Sequence, residues 1–218
     1  MDRSATPLIL CGILLLALLL RAVTLNGQSF FVDEISELVL SKKPLAKIVV
    51  APDSAPPFFP LALKNWLTFW RTDAAARWLS LICGLASIVC VWAIGRRLVD
   101  NATGLAAAFV LAILPMHVFY SQFVRSYSLL FLLVALALWL LLRAVESDSS
   151  GDWIAFVGAC LLGAYTHYYF AIFVATSVLV VCLRRSQWWI GRRAFVAYAC
   201  IGIAALPLLI LLKSDLHF

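Results

Sequence analysis

Charged side chains are scarce in this sequence: only 13% of its 218 residues are Asp, Glu, Lys or Arg, and 64% are hydrophobic. The mean hydropathy is +1.00. Soluble domains, by contrast, have only about half of their residues apolar and about a quarter charged. A soluble fold cannot hide so much apolar surface, so the composition excludes one. The sequence also lacks an internal repeat and a low-complexity tract, and we predict one undivided membrane module over residues 1–218.

Two further classes of protein, disulfide-stabilised and nucleic-acid-binding, are disfavoured by what the sequence does not contain. No two of its six cysteines have metal-finger spacing, and all six lie in apolar runs, where cysteine serves as a small packing residue. Lys and Arg outnumber Asp and Glu by 17 to 11, but the charges fall in clusters between apolar runs rather than along one face. A disulfide framework and nucleic-acid binding are therefore both poor explanations of the sequence.

Long apolar runs predict an all-α integral membrane protein. Most runs approach the ~17 to 20 residues that cross a hydrocarbon core, and the run at 153–183 is long enough for two crossings. Arginine-rich short loops mark the cytoplasmic side of a membrane protein. If the run at 153–183 crosses twice, all the arginine-rich loops fall on the same side as Arg3. We therefore predict an inside N-terminus, an outside C-terminus and about seven helices, at 7–25, 78–94, 105–120, 127–142, 153–166, 168–183 and 194–212.

The external loop at 26–77 is predicted to contain short helices of its own. Apolar residues in 32–40 have helical spacing and stand beside three carboxylates, the pattern of an amphipathic helix lying on the membrane interface. Two prolines at 56–57 open a second apolar stretch at 58–70, and its two tryptophans suit the headgroup level.

Candidate functional residues from three loops fall on the outer side of this topology. Asp33 and Glu34 follow helix one, Arg125 and Tyr127 lie between helices three and four, and His167 lies between helices five and six. A carboxylate offers a general base, a guanidinium a phosphate clamp, and an aromatic ring a stacking surface for a sugar. This combination suits a lipid phosphate-sugar substrate, with the two carboxylates as candidates for catalysis and the other three residues as candidates for binding.

Each of these residues also has a plainer interpretation, which the residues favour when taken on their own. The carboxylates are typical of the solvated first turn of a helix, and Arg125 can end a helix and reach the lipid headgroups. His167 and His117 can pack as polar residues at helix ends, which we favour for His117. Asp33, Glu34 and His167 could also supply ligands to a divalent metal, but their spacing is not diagnostic, so a divalent metal stays open as a cofactor.

In their order and spacing, several motifs resemble those of bacterial members of the GT-C glycosyltransferase superfamily, which contains the aminoarabinose transferases and the protein O-mannosyltransferases. The matching segments are DE at 33–34, PPFF at 56–59, RWLS at 77–80, GRRL at 95–98, PMHVFYSQ at 115–122, RSYS at 125–128 and THYYF at 166–170. The resemblance implies an all-helical membrane fold and a polyprenyl-phosphate sugar donor. It also implies an essential acidic residue in the first external loop, which is Asp33 by first choice and Glu34 by second.

The resemblance further implies a location and partners. It implies a multi-pass protein of the bacterial plasma membrane whose active site faces outward, with a glycan, lipid or protein as acceptor. Arg125 would stabilise the departing phosphate. Relatives continue with further helices and often a C-terminal domain, so we expect a portion beyond residue 218 to be missing. The alternative is a catalytically inactive scaffold or partner subunit; a transporter is less favoured, because the ionisable residues cluster at helix ends.

Overall fold

A computed structural model describes residues 5–23, 25, 27, 29–50, 56–70, 72–184 and 191–215. Every regular element among these residues is an α-helix, which confirms the all-α prediction, and all six cysteines are free. In chain order the helices are α1 (Ala5–Ala22), α2 (Val32–Lys42), α3 (Leu45–Val49), α4 (Phe58–Phe69), α5 (Asp73–Leu98), α6 (Asn101–Ile113), α7 (Pro115–Ser121), α8 (Tyr127–Ser147), α9 (Ser150–Ala164), α10 (Phe170–Arg184) and α11 (Arg192–Asp215).

Several of the helices are suited to crossing a membrane. Within the described ranges, α1, α5, α8 and α11 contain segments that are long and apolar enough, and α6 with α7 adds a fifth crossing if the bent pair forms one span. Helices α9 and α10 have 15 residues each, about 22 Å of helix against a hydrocarbon core of ~30 Å. The multi-pass membrane fold is thus supported, whereas seven crossings are not confirmed by helix length.

The helix predicted at 105–120 is in fact two helices, α6 and α7, that meet at an angle of 66°. Pro115 causes the break, because proline has no N–H to donate within a helix and disfavours helical geometry in the residue before it. Leu114 accordingly adopts an extended conformation, with φ −63° and ψ 118°. A guanidinium N–H of Arg21 donates to the carbonyl of Ala112 near the broken end, at 2.9 Å.

Three short helices, α2, α3 and α4, occupy the loop predicted to be external. Helix α2 lies where the amphipathic pattern was found and α4 lies in the second apolar stretch, whereas α3 was not predicted. The loop ends earlier than position 77, because α5 begins at Asp73. The buried face of α2 carries Glu34, Glu37 and Leu38, while Ile35 is 49% exposed. Two of the three carboxylates therefore point into the protein, which the helical pattern alone did not predict.

Two polar clusters mark opposite ends of α5. Arg77, near its start, pairs with Glu34 of α2 at 3.0 Å, and Arg97, near its finish, pairs with Glu146 of α8 at 2.7 Å. We call the first the α2 end and the second the arginine end, to which two further ion pairs belong: Arg143 with Asp152 and Arg193 with Asp148. The arginine clusters of three short loops thus share one end, as expected; Arg3 and Arg185 lie outside the described residues.

The close approach of α5 and α6 gives a stability prediction. A Cβ added at Gly104 would lie 2.5 Å from the carbonyl oxygen of Trp92 and 2.8 Å from the amide nitrogen of Arg96. These are backbone atoms of a packed helix and cannot rotate away, so Gly104→Ala should force the two helices apart. Overpacking of this kind costs about 1–3 kcal/mol, and we expect a lower midpoint in thermal unfolding of the purified protein in detergent.

Gly158 provides the matched control for this substitution. It lies inside α9, and an added Cβ would meet nothing within 4 Å. Because Ala has a higher helix propensity than Gly, Gly158→Ala should leave the unfolding midpoint unchanged or raise it slightly. Equal midpoints for the two variants would contradict the tight contact between α5 and α6.

Candidate functional site

Glu34 is the structural centre of the α2 end. Its side chain is fully buried, and both carboxylate oxygens accept hydrogen bonds. Oε1 accepts from Nε of Arg77 at 3.2 Å and from the backbone N–H of Val124 at 3.0 Å, while Oε2 accepts from Nη2 of Arg77 and the N–H of Phe31, each at 3.0 Å. Glu34 therefore ties together α2, α5 and the loop before α8.

Asp33 has a different environment from its neighbour. Its side chain is exposed and forms no hydrogen bond or ion pair with any residue that the structure describes. Glu37 lies one helical turn further along the same face of α2, since residues four apart are neighbours on a helix, and it pairs with Arg125 at 3.4 Å. A carboxylate that is free and exposed can accept a proton from a substrate, whereas Glu34 is already committed to protein contacts.

Arg125 lies in the short loop that joins α7 to α8. The backbone N–H of Val124, the preceding residue, is held by Glu34, and the rings of Phe31 and Phe123 meet edge to face at 5.6 Å. The Arg125 side chain is 24% exposed and makes one long contact, with Glu37. A guanidinium has five N–H donors, so most of those on Arg125 remain available to a ligand while the loop itself is fixed.

His167 lies in the break between α9 and α10, where the run at 153–183 was predicted to divide. Its Nδ1 accepts a hydrogen bond from the N–H of Tyr169 at 3.2 Å, so the neutral ring carries its proton on Nε2. Burial and the neighbouring Arg125 both lower the pKa of His167, which favours the neutral ring. The rings of His167 and Tyr127 are 5.9 Å apart. The structure thus brings together the three predicted binding residues.

The same residues do not fit a metal ion. Among the described residues, no group of three His, Cys, Asp or Glu side chains is arranged to hold one. Both oxygens of Glu34 are occupied by protein donors. The tautomer of His167 places a proton on Nε2, where a metal would need a lone pair.

An apolar groove of about 340 Å³ lies beside this cluster, between α6, α7 and α8. Tyr120 and Tyr127 line the groove, with ring centroids 4.9 Å apart, and the Tyr127 ring also contacts His167. The remaining wall is almost wholly hydrophobic and includes Leu114, Leu130, Phe131 and Val134. The groove can therefore hold a hydrocarbon chain whose polar end lies near Arg125.

Sequence reasoning missed Arg21, which is fully buried near the end of α1. Besides Ala112, its guanidinium contacts Nδ1 of His117 at 2.7 Å, and Nε2 of His117 lies 2.9 Å from the hydroxyl of Ser87. His117 is thus held by polar partners on both ring nitrogens, and it also lines the groove. The available signal was a charged residue within a long apolar run, which is costly in a membrane unless it has partners.

The fold and these polar residues define a multi-pass membrane protein with a carboxylate, a guanidinium and an imidazole gathered beside an apolar groove. A family model described as dolichyl-phosphate-mannose-protein mannosyltransferase matches residues 54–211. The chain belongs to this family of membrane glycosyltransferases, of the GT-C type. The match includes Arg125, Tyr127 and His167 but begins after Asp33 and Glu34. A search of the curated proteins finds no significant match.

Proposed function

We propose that this protein transfers a sugar from a polyprenyl-phosphate donor to a hydroxyl or amine of a glycan, lipid or protein acceptor at the α2 end. The observation that carries this proposal is the position of Arg125, which is fixed by its loop, keeps free donors and stands two residues before Tyr127, in the wall of an apolar groove. A guanidinium next to a groove of this kind suits a ligand with a phosphate head and a hydrocarbon tail. The family description, which names a dolichyl-phosphate sugar, supports the same class of donor.

Three groups of this chain would bind the donor. Arg125 and the Nε2–H of His167 donate hydrogen bonds to the phosphate oxygens, and the tail lies along Leu130, Phe131 and Val134 of α8. The ring of Tyr127 lines the groove and contacts His167, so it packs against the first isoprene unit, where the tail joins the phosphate. The neutral form of His167, which its lowered pKa favours, adds a donor without placing a second positive charge beside Arg125.

The chemistry assigned to Asp33 is general-base catalysis. Its carboxylate takes the proton from the acceptor O–H or N–H while the acceptor atom bonds to the anomeric carbon of the sugar. The bond between that carbon and the phosphate oxygen breaks, and polyprenyl phosphate leaves with the electron pair. Arg125 stabilises the negative charge that develops on this leaving group.

A topology of seven crossings with an outward-facing α2 end completes the proposal. The first turn of α9 lies at the arginine end, where Asp152 pairs with Arg143. His167, which follows α9, lies at the α2 end beside Tyr127. Helix α9 therefore runs from one end of the bundle to the other. Local thinning of the bilayer can accommodate a helix of 15 residues. Because arginines of short loops mark the cytoplasmic side, the arginine end is assigned to the cytoplasm.

The test of the donor site is Arg125→Lys, which keeps the charge but loses the planar set of donors. We expect the KM for a short-chain polyprenyl-phosphate sugar to rise about tenfold, the effect of losing one charge-assisted hydrogen bond. Initial rates are measured over a range of donor concentrations, with an active preparation of the protein in lipid nanodiscs.

Arg97→Lys is the matched control for Arg125→Lys. It makes the same chemical change at the arginine end, where Arg97 pairs with Glu146 in a partly exposed ion pair, and it should leave the donor KM unchanged. If Arg125→Lys showed the same KM and turnover as the unaltered protein, Arg125 would have no part in donor binding. Its role would then be limited to contacts with Glu37 and the lipid headgroups.

A further inference from the structure

A second mixed polar and apolar pocket lies at the arginine end, across the bundle from the proposed donor site. It has a volume of about 270 Å³ and is formed by the first turns of α9 and α11. Trp153, which is 4% exposed, lines the pocket, and so do Arg192 and Arg193. The rest of the wall is mostly apolar and includes Ile154, Val157 and Val196.

The pocket carries an unbalanced positive charge. The two nearby carboxylates already have cationic partners, since Asp148 pairs with Arg193 at 2.9 Å and Asp152 with Arg143 at 2.7 Å. Arg192 is exposed and forms no hydrogen bond or ion pair with the described part of the chain. The first turn of α11 contains no acidic residue, so the partial positive charge of the helix N-terminus adds to that of Arg192.

The apolar wall of the pocket faces outward from the bundle. Ile154 is 71% exposed and Val196 is 50% exposed, and they belong to the two helices that carry the positive charge. A ligand that satisfies both parts of the pocket needs an anionic head and a hydrocarbon chain. A soluble anion leaves the apolar wall uncovered, and a zwitterionic headgroup brings a cation of its own to two arginines.

We propose that this pocket binds an anionic phospholipid, whose phosphate contacts Arg192 and whose acyl chain lies along Ile154 and Val196. Basic pockets near the ends of membrane helices attract anionic headgroups through the same combination of charge and apolar contact. The bound lipid would bridge α9 and α11, the helices that come before and after His167 and α10 in the chain.

The experiment measures retained lipid by native mass spectrometry after reconstitution in bilayers that contain equal parts of phosphatidylglycerol and phosphatidylcholine. The unaltered protein should retain phosphatidylglycerol preferentially. Arg192→Gln should reduce its binding about fivefold, the effect of one cation near an anionic membrane surface. Val196→Trp, which fills the pocket without changing the charge, should also reduce it.

Arg96→Gln is the control, because it removes an exposed arginine from the same end of the molecule but outside the pocket. It should leave lipid retention unchanged. Equal losses in Arg96→Gln and Arg192→Gln would show a general charge effect and overturn the site, as would normal retention in Arg192→Gln. Displacement of the lipid by millimolar inorganic phosphate, with no effect of Val196→Trp, would assign the pocket to a soluble anion. None of these results depends on transferase activity.

Discussion

Asp33→Asn is expected to lower turnover by roughly 10²- to 10⁴-fold, the usual contribution of a general base. The amide has nearly the shape of the carboxylate but cannot take the proton from the acceptor. Because Asp33 is exposed and free of contacts with the described residues, the variant should fold normally. The KM for the donor should change little, since the phosphate contacts are assigned to Arg125 and His167. The measurement is kcat under saturating donor and acceptor.

Glu146→Gln is the matched control for Asp33→Asn. It also replaces a carboxylate with its amide, at the arginine end, where the ion pair with Arg97 is exposed and worth little. Its turnover should equal that of the unaltered protein. Normal turnover in Asp33→Asn would remove Asp33 from the mechanism and leave Glu34 as the candidate base. Normal turnover in both Asp33→Asn and Glu34→Gln would place the general base outside this pair, whereas a lack of turnover in the unaltered protein would favour a scaffold or partner subunit.

Glu34→Gln is expected to act on stability, with a loss of about 3–5 kcal/mol in the free energy of unfolding. Glutamine has the size of glutamate but leaves the guanidinium of Arg77, whose side chain is 6% exposed, without its counter-charge. It also weakens the contact to the backbone N–H of Val124. Unfolding is followed by denaturant titration of the protein in mixed micelles.

The double variant Glu34→Gln with Arg77→Gln separates the ion pair from other effects. If the pair is the cause, the double variant will lose less stability than the sum of the losses in the two single variants. The loop that carries Arg125 should also be less fixed in Glu34→Gln, so the donor KM should rise in the fraction that stays folded. Unchanged stability with a loss of turnover above 10²-fold would instead assign Glu34 to the chemistry.

The parts of this fold that could be predicted from the sequence are those set by local chemistry. Apolar runs of sufficient length predicted the spanning helices, and the break at 165–169 followed from the length of a single run and the charges around it. The break at Leu114 was equally local, because Pro115 gives the signal for it. It was missed because the hydrophobic run continues on both sides of the proline.

The parts that could not be predicted depend on distant partners. Asp33 and Glu34 are adjacent acidic residues in one helical turn, and no sequence pattern shows which of them is buried. The burial of Glu34 is favourable only because Arg77 and Val124, 43 and 90 residues away, supply its donors. Arg125, Tyr127 and His167 could be grouped in advance because they fall in loops on the same side of the predicted topology.

The buried position of Arg21 has a consequence for how the protein is made. Helix α1 leaves the ribosome before α6 and α7, and Ala112 and His117, which contact the Arg21 guanidinium, follow Arg21 by 91 and 96 residues. At ~5–20 residues per second, translation delivers them on the order of 5 to 20 seconds afterwards. During that interval the partner that α1 itself supplies to the Arg21 guanidinium is the carbonyl of Ala17, four residues earlier, which accepts one hydrogen bond. Because Arg21 lies in the last turn of α1, its side chain can reach the lipid headgroups during that interval, and it becomes buried when α6 and α7 arrive.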